Sequence, residues 1–246
     1  MSAIKGARER ARIEVTAAIK YEARRQLAEE GAAKLSLRAV ARELGMVSSA
    51  LYRYFPSRDE LLTALIVDAY DAVGAAAERA DREVTETPAP PADPEAPAPA
   101  HGTGLARWTA VGCAVRTWAL AHPHEYALIY GSPVPGYTAP QTTVAPASRV
   151  GLRLIAVVEE AHRTEGLALP PLAEELRPEA ERLAAAFAPG LPPAAAAPLV
   201  AAWSQLFGLL SFELFGQFNR VVEDCEVFFR HAVTELGRSV GLMGTR

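Results

Sequence analysis

Ser48, Ser49, Tyr52 and Arg53 are spaced i, i+1, i+4 and i+5, which places them on one face of a helix. Their side chains offer one kind of chemistry. Two hydroxyls donate or accept hydrogen bonds, a phenol reaches a phosphate oxygen, and a guanidinium grips a guanine edge or a phosphate. Val47, Ala50, Leu51 and Tyr54 form the complementary i, i+3, i+4, i+7 stripe, the side such a helix buries. A short helix of this kind fits the DNA major groove with its N-terminal residues nearest the base edges. Ala50, at the border of the two faces, is placed to meet a thymine methyl.

Other chemistry-bearing groups are less well assembled. His122 and His124 flank Pro123 beside Glu125, but histidines at i and i+2 do not share a helix face and no third ligand is placed, so no metal is expected. Cys225 with Asp224 and His231 lacks the base and oxyanion arrangement of a nucleophile, so no catalytic residue is assigned and no enzyme is expected. The spacing of Cys113 and Cys225 suits neither a disulfide framework nor a metal site. No cofactor is expected. Trp118, Tyr126, Tyr130, Trp203 and Phe207 could line an apolar ligand pocket, or could be ordinary core. The run Trp203, Phe207, Leu210, Leu214, Phe218 lies along one stripe that would equally serve as a dimer seam.

The elements that position the candidate face follow from local signals. A first helix over 7–30 carries Ile13, Ala17, Tyr21 and Ala28 at helical spacing and ends at Gly31. Ser36 is an N-cap, with Leu35 and Val40 at the hydrophobic-staple positions. Leu37, Val40, Ala41 and Leu44 give a second short helix, and Gly45 makes the turn into the third. Pro56 ends the third, and Ser57-Arg58-Asp59-Glu60 is a capping box opening a fourth helix to about Glu83. Helices of about eight residues are not stable alone, so they must pack on the first as a helix-turn-helix. Ser36 and Arg38 at one helix start, and Arg58 at another, are further phosphate candidates. Arg8, Arg10 and Arg12 would form a flexible basic arm.

The chain has 246 residues and a net charge of −4. Residues 1–58 hold twelve Lys/Arg against six Glu, a net of +6, so the remaining residues carry −10. A basic head on an acidic body suits a nucleic-acid-binding domain joined to something else. The Ala-, Leu-, Glu- and Arg-rich composition without alternating runs argues for an all-α protein. No unbroken apolar run reaches the roughly 18 residues of a membrane span, and the N-terminus lacks an apolar signal core, so a cytoplasmic location without a membrane partner is expected. Residues 85–104 are rich in Pro and Ala and read as a flexible segment. Beyond them, helices are expected at 105–121, 123–130, 145–166, 172–187, 194–218 and 222–241.

The stretch "LSLRAVARELGMVSSALYRYFPSRDELL" resembles the DNA-binding domain of the TetR/AcrR family of bacterial transcriptional regulators. The matching parts are the A-x-x-L-G turn, the A-L-Y-x-Y-F end of the recognition helix and the S-R-D-E-L-L start of the fourth helix, over about residues 9–68. Met46 stands where the family pattern usually has Val. The resemblance implies that Arg38, Ser48, Ser49, Ala50, Tyr52, Arg53, Tyr54 and Arg58 approach DNA. The C-terminal stretches "HPHEYALIYGSPVPGYTAP" and "WSQLFGLLSFELFGQF" resemble the subgroup with a WHG-type domain, with Phe207 before Gly208 where that motif often has His. The family implies a helix-turn-helix domain at 1–56, a connecting helix at 57–84, and a ligand-binding and dimerisation domain at 105–246. It also implies a homodimer through the last helices, a double-stranded DNA operator, and a small-molecule effector that relieves repression. A ligand-independent DNA-binding protein and a helical enzyme are the alternatives.

Overall fold

The computed structural model describes residues 2–86 and 103–244. The Pro/Ala-rich segment expected at 85–104 lies, from 87 to 102, outside the described residues. Among the described residues there are ten α-helices and no strand, which is the all-α fold the composition implies. The chain divides into two compact units, Met1–Asp71 with His122–Pro146 (the head) and Ala72–Ala121 with Ala147–Arg246 (the body).

The head begins with α1 (Ser2–Glu30), which packs against α2 (Leu37–Glu43). Its buried face is not the expected stripe. Ile13 and Tyr21 are exposed, as are Ala17 and Ala28, whereas Ile19, Ala23 and Leu27 form the core side. Two polar residues disguise this face. Glu22 is buried because Arg25 clamps its carboxylate at 2.8 and 2.9 Å, a pairing that also holds the carboxyl below its ordinary range. Gln26 is buried with its Oε1 accepting from the Ser36 amide at 3.4 Å. Arg8, Arg10 and Arg12 lie within α1 rather than on a flexible arm.

A 3-10 turn at Ala32–Lys34 leads to Ser36, whose Oγ accepts from the Ala39 amide at 3.4 Å and caps α2. Leu35 and Val40 are buried on either side of the cap. Gly45, at φ 63, turns the chain in the left-handed conformation that glycine adopts without cost. The third helix, α3 (Ser48–Leu51), is shorter than the expected two turns, although Phe55 N still bonds to Leu51 O at 3.1 Å. Ser57 Oγ accepts from the Glu60 amide at 3.1 Å and starts α4 (Arg58–Glu86). The boundary between units falls inside α4, after Asp71.

The head also takes up α6 (Pro123–Tyr130) and the turn-rich segment after it, residues far along the chain. Leu128, Val134 and Tyr137 pack against the head core. Tyr137 and Thr63 share a hydrogen bond of 2.9 Å, and Tyr70 donates to Ile129 O at 3.2 Å.

In the body, α5 (Gly104–Ala121), α9 (Pro193–Leu214) and α10 (Cys225–Ser239) pack on one another, and α8 (Arg177–Phe187) packs on α9. Glycine permits the closeness of α5 and α10, because a Cβ at Gly112 would stand 2.4 Å from Val233 and one at Gly237 would stand 2.7 Å from Leu105. Between them the buried Trp108 donates to Val233 O at 2.9 Å. A charged network joins α4, α5 and α7 (Val144–Thr164). Arg107 grips Asp81 at 2.7 and 3.2 Å and reaches Glu160 at 2.9 Å, while Arg153 adds a 3.0 Å bond to the same aspartate. Arg149 holds Glu78 at 2.8 and 2.9 Å.

Candidate nucleic-acid interface

The short helix α3 is held from behind. Leu51 and Phe55 are buried in the head core, with Tyr54 and Met46 half-buried against it. That leaves Ser48, Ser49, Tyr52 and Arg53 exposed together, as their spacing predicts. Tyr52 is 41% exposed, a large fraction for an aromatic ring. Among the described residues, none of these four side chains has a hydrogen-bond or ion-pair partner, and neither does Arg38 at the start of α2. The face is therefore polar, cationic and unengaged, and it can donate and accept hydrogen bonds at a phosphate or a base edge.

The other expected DNA-contacting residues are placed differently. Ser36 is occupied as the cap of α2. Ala50 is half-buried. Tyr54 is half-buried with the Arg12 guanidinium 6.0 Å above its ring, so its face is shared between core and cation. Arg58 donates to three backbone carbonyls of the head, those of Ala32, Ala33 and Leu35. A phosphate contact from Arg58 would have to exchange with these bonds.

Val47 departs from the sequence reading. Expected in the buried stripe, it is 70% exposed, because α3 starts one residue later and Val47 becomes its N-cap. Met46 takes the inner position instead, with its amide bonded to Ala41 O at 2.8 Å.

The expected pocket residues fall in both units. In the head, the buried Tyr126 meets Tyr130 with ring centroids 5.2 Å apart, and Tyr130 meets Tyr70 edge-on at 5.9 Å. Burial pushes the Tyr130 and Tyr70 phenols above their ordinary range. In the body, Trp203 and Phe207 stack edge-on at 6.0 Å, with Trp203 exposed and Phe207 buried, and Trp118 is buried. A groove of about 640 Å³ in the body is lined by Thr103, Glu165, Arg238, Leu242 and Met243. One of about 480 Å³ in the head is lined by Lys20, Tyr54, Thr63, Asp68 and Thr142. None of the five expected pocket residues lines either groove. His122 sits before α6, where Glu125 pairs with Arg24 at 3.6 Å. Asp224 caps α10 by accepting from the Val227 amide at 2.9 Å.

Residues 21–65, the helix-turn-helix and its flanks, match the family model described as bacterial regulatory proteins, tetR family, and residues 108–236 match the tetracyclin repressor-like C-terminal domain. The chain belongs to the TetR family of transcriptional regulators. Its relatives cover most of it. HTH-type transcriptional regulator Mb1846 of Mycobacterium bovis is 38% identical over 227 residues, covering 87% of this chain and 86% of that protein. Rv1816 of Mycobacterium tuberculosis matches to the same degree. The solved structure of the regulatory protein SCO4313 superposes with a TM-score of 0.73 at 32% identity, covering 93% of this chain and 97% of that one. RolR, solved in complex with its ligand resorcinol, shares the fold at 13% identity, with a TM-score of 0.51 and 97% and 100% coverage.

Proposed function

We propose that this TetR-family chain is a homodimeric, small-molecule-responsive repressor that binds a palindromic operator through α3. The observation that carries the reading is the unengaged face of Ser48, Ser49, Tyr52 and Arg53 on a helix anchored by Leu51 and Phe55. Arg38 and the net +6 of residues 1–58 add phosphate attraction, which makes binding fall steeply with salt. Two heads in successive major grooves read half-sites about one helical turn apart. Residues 1–56 act as the DNA-binding domain, 57–84 as the connection and 105–246 as the effector and dimer domain. The protein works in the cytoplasm and carries out no catalysis.

Support for the dimer comes from the outer faces of α9 and α10. Val200, Trp203 and Phe212 on α9, and Val227 and Phe228 on α10, are exposed in the single chain. By length and composition α9 would reach across a bilayer, yet only 39% of its apolar window is buried in one chain. A second copy packing against part of this exposed apolar surface accounts for both facts.

Support for an effector is the family itself and a protein of the same fold that binds resorcinol. The effector relieves repression by favouring a DNA-incompetent state, and by no more than its differential affinity for the two states. A body that serves dimerisation alone is favoured by one observation: the ion pairs of Asp81 and Arg107 fill space among α4, α5 and α7. A compound that raises the melting temperature and releases DNA would exclude this second reading.

Selection of bound sequences from a random duplex library, at two salt concentrations, tests the proposal. An enriched inverted repeat supports a dimeric, sequence-specific regulator. Salt-sensitive binding with no enriched sequence opposes it.

A further inference from the structure

We propose that Val47 is a specificity-determining residue of the head, reading the C5-methyl group of a thymine in the major groove. The inference rests on α3 being the DNA-contacting element. A single exposed valine means little by itself. At this position Val47 breaks two local rules at once. It is the N-cap of α3, where Ser, Thr, Asp or Asn would satisfy a free amide, and it makes no side-chain cap bond. It is also 70% exposed although apolar. Nothing in the packing requires either feature, because Met46 already fills the inner position beside it. Breaks in local consistency concentrate where a surface has another task.

The neighbours set that task. Ser48 and Ser49 follow directly, are small and exposed, and take no partner among the described residues, so the start of α3 can approach base edges closely. The half-buried Ala50 continues the apolar patch. An isopropyl group has no hydrogen bond to offer, so it gains nothing at a phosphate. In the major groove the apolar feature that distinguishes one base from the others is the thymine methyl. Val47 therefore acts on sequence preference and not on salt dependence.

The test is a deoxyuridine scan of the selected operator with the full-length protein. Each thymine of one half-site is replaced in turn by deoxyuridine, which removes only the methyl. For the wild type, one position weakens binding about fourfold, the weight of one methyl taken out of water. In Val47→Ala the loss at that position disappears, and in Val47→Ile it is retained. Alanine is also a poor cap, so the helix start is unchanged, and an equal melting temperature checks this. A wild-type protein that selects an operator but shows no thymine whose methyl effect depends on Val47 overturns this proposal alone. A wild-type protein that selects no sequence overturns it together with the DNA-reading role of α3.

Discussion

The Arg58 guanidinium, at the start of α4, donates to the Leu35 carbonyl at 3.2 Å, and its outer nitrogen reaches the Ala32 carbonyl at 2.9 Å. These carbonyls belong to the turn between α1 and α2, where the Ala32 carbonyl also accepts from the Leu35 amide at 3.3 Å. Arg58 thus ties the fourth helix to the connection that orients the second.

Arg58→Ala leaves the part-buried Leu35 carbonyl without this donor, while the Ala32 carbonyl keeps the Leu35 amide at 3.3 Å. It should destabilise the protein by about 1–2 kcal/mol, the range for charged hydrogen bonds discounted for partial exposure. Urea unfolding measures this. Arg58→Lys should recover only part, since an ammonium cannot span the fork. Unchanged stability with weakened DNA binding would assign Arg58 to phosphate contact instead.

In the body, Asp81 accepts from both Arg107 and Arg153 and is almost wholly buried. Asp81→Asn leaves two guanidinium groups converging on a neutral amide. Removing one partner of a buried pair costs about 3–5 kcal/mol, so a large fall in melting temperature is expected. Glu78→Gln, at a more exposed pair, should cost much less.

The same glutamate sets a pH dependence. Its bond to Arg149 holds the Glu78 carboxyl below its ordinary 4.5. A depressed carboxyl adds stability that is fully present above its unfolded pKa and is lost as pH falls through the folded one. Wild-type stability should therefore drop below pH 4.5 more steeply than that of Glu78→Gln. Parallel acid limbs in the two proteins would show that the pair contributes nothing.

Gly208 on α9 has open space where a Cβ would stand. Gly208→Leu should leave the monomer folded, and slightly stabilised by removing a helical glycine, by up to about 1 kcal/mol. If α9 forms the dimer seam, the leucine obstructs the second copy and sedimentation shows a larger monomer fraction. A dimer as tight as the wild type would place the seam elsewhere.

Much of the head was legible in the sequence because its signals are local. Ser36, Gly45 and Ser57 mark caps and a turn within three or four residues of their partners, and the structure uses them so. The buried face of α1 was not legible, because Glu22 and Gln26 look like surface residues until Arg25 and the Ser36 amide are seen to satisfy them. Val47 was misplaced because period alone does not say where a four-residue helix starts. The Arg107–Glu160 and Thr63–Tyr137 contacts join residues 53 and 74 positions apart, beyond any local pattern.

The most direct measurement is operator affinity for wild type, Tyr52→Ala and Arg53→Ala at two salt concentrations, with oligomeric state and melting temperature recorded in parallel. Both side chains are exposed and without partners in the head, so stability should change by no more than about 0.5 kcal/mol. Each variant should lose about 1–3 kcal/mol of specific binding while remaining dimeric. Operator binding unchanged in both variants would contradict the assignment of α3 as the reading face.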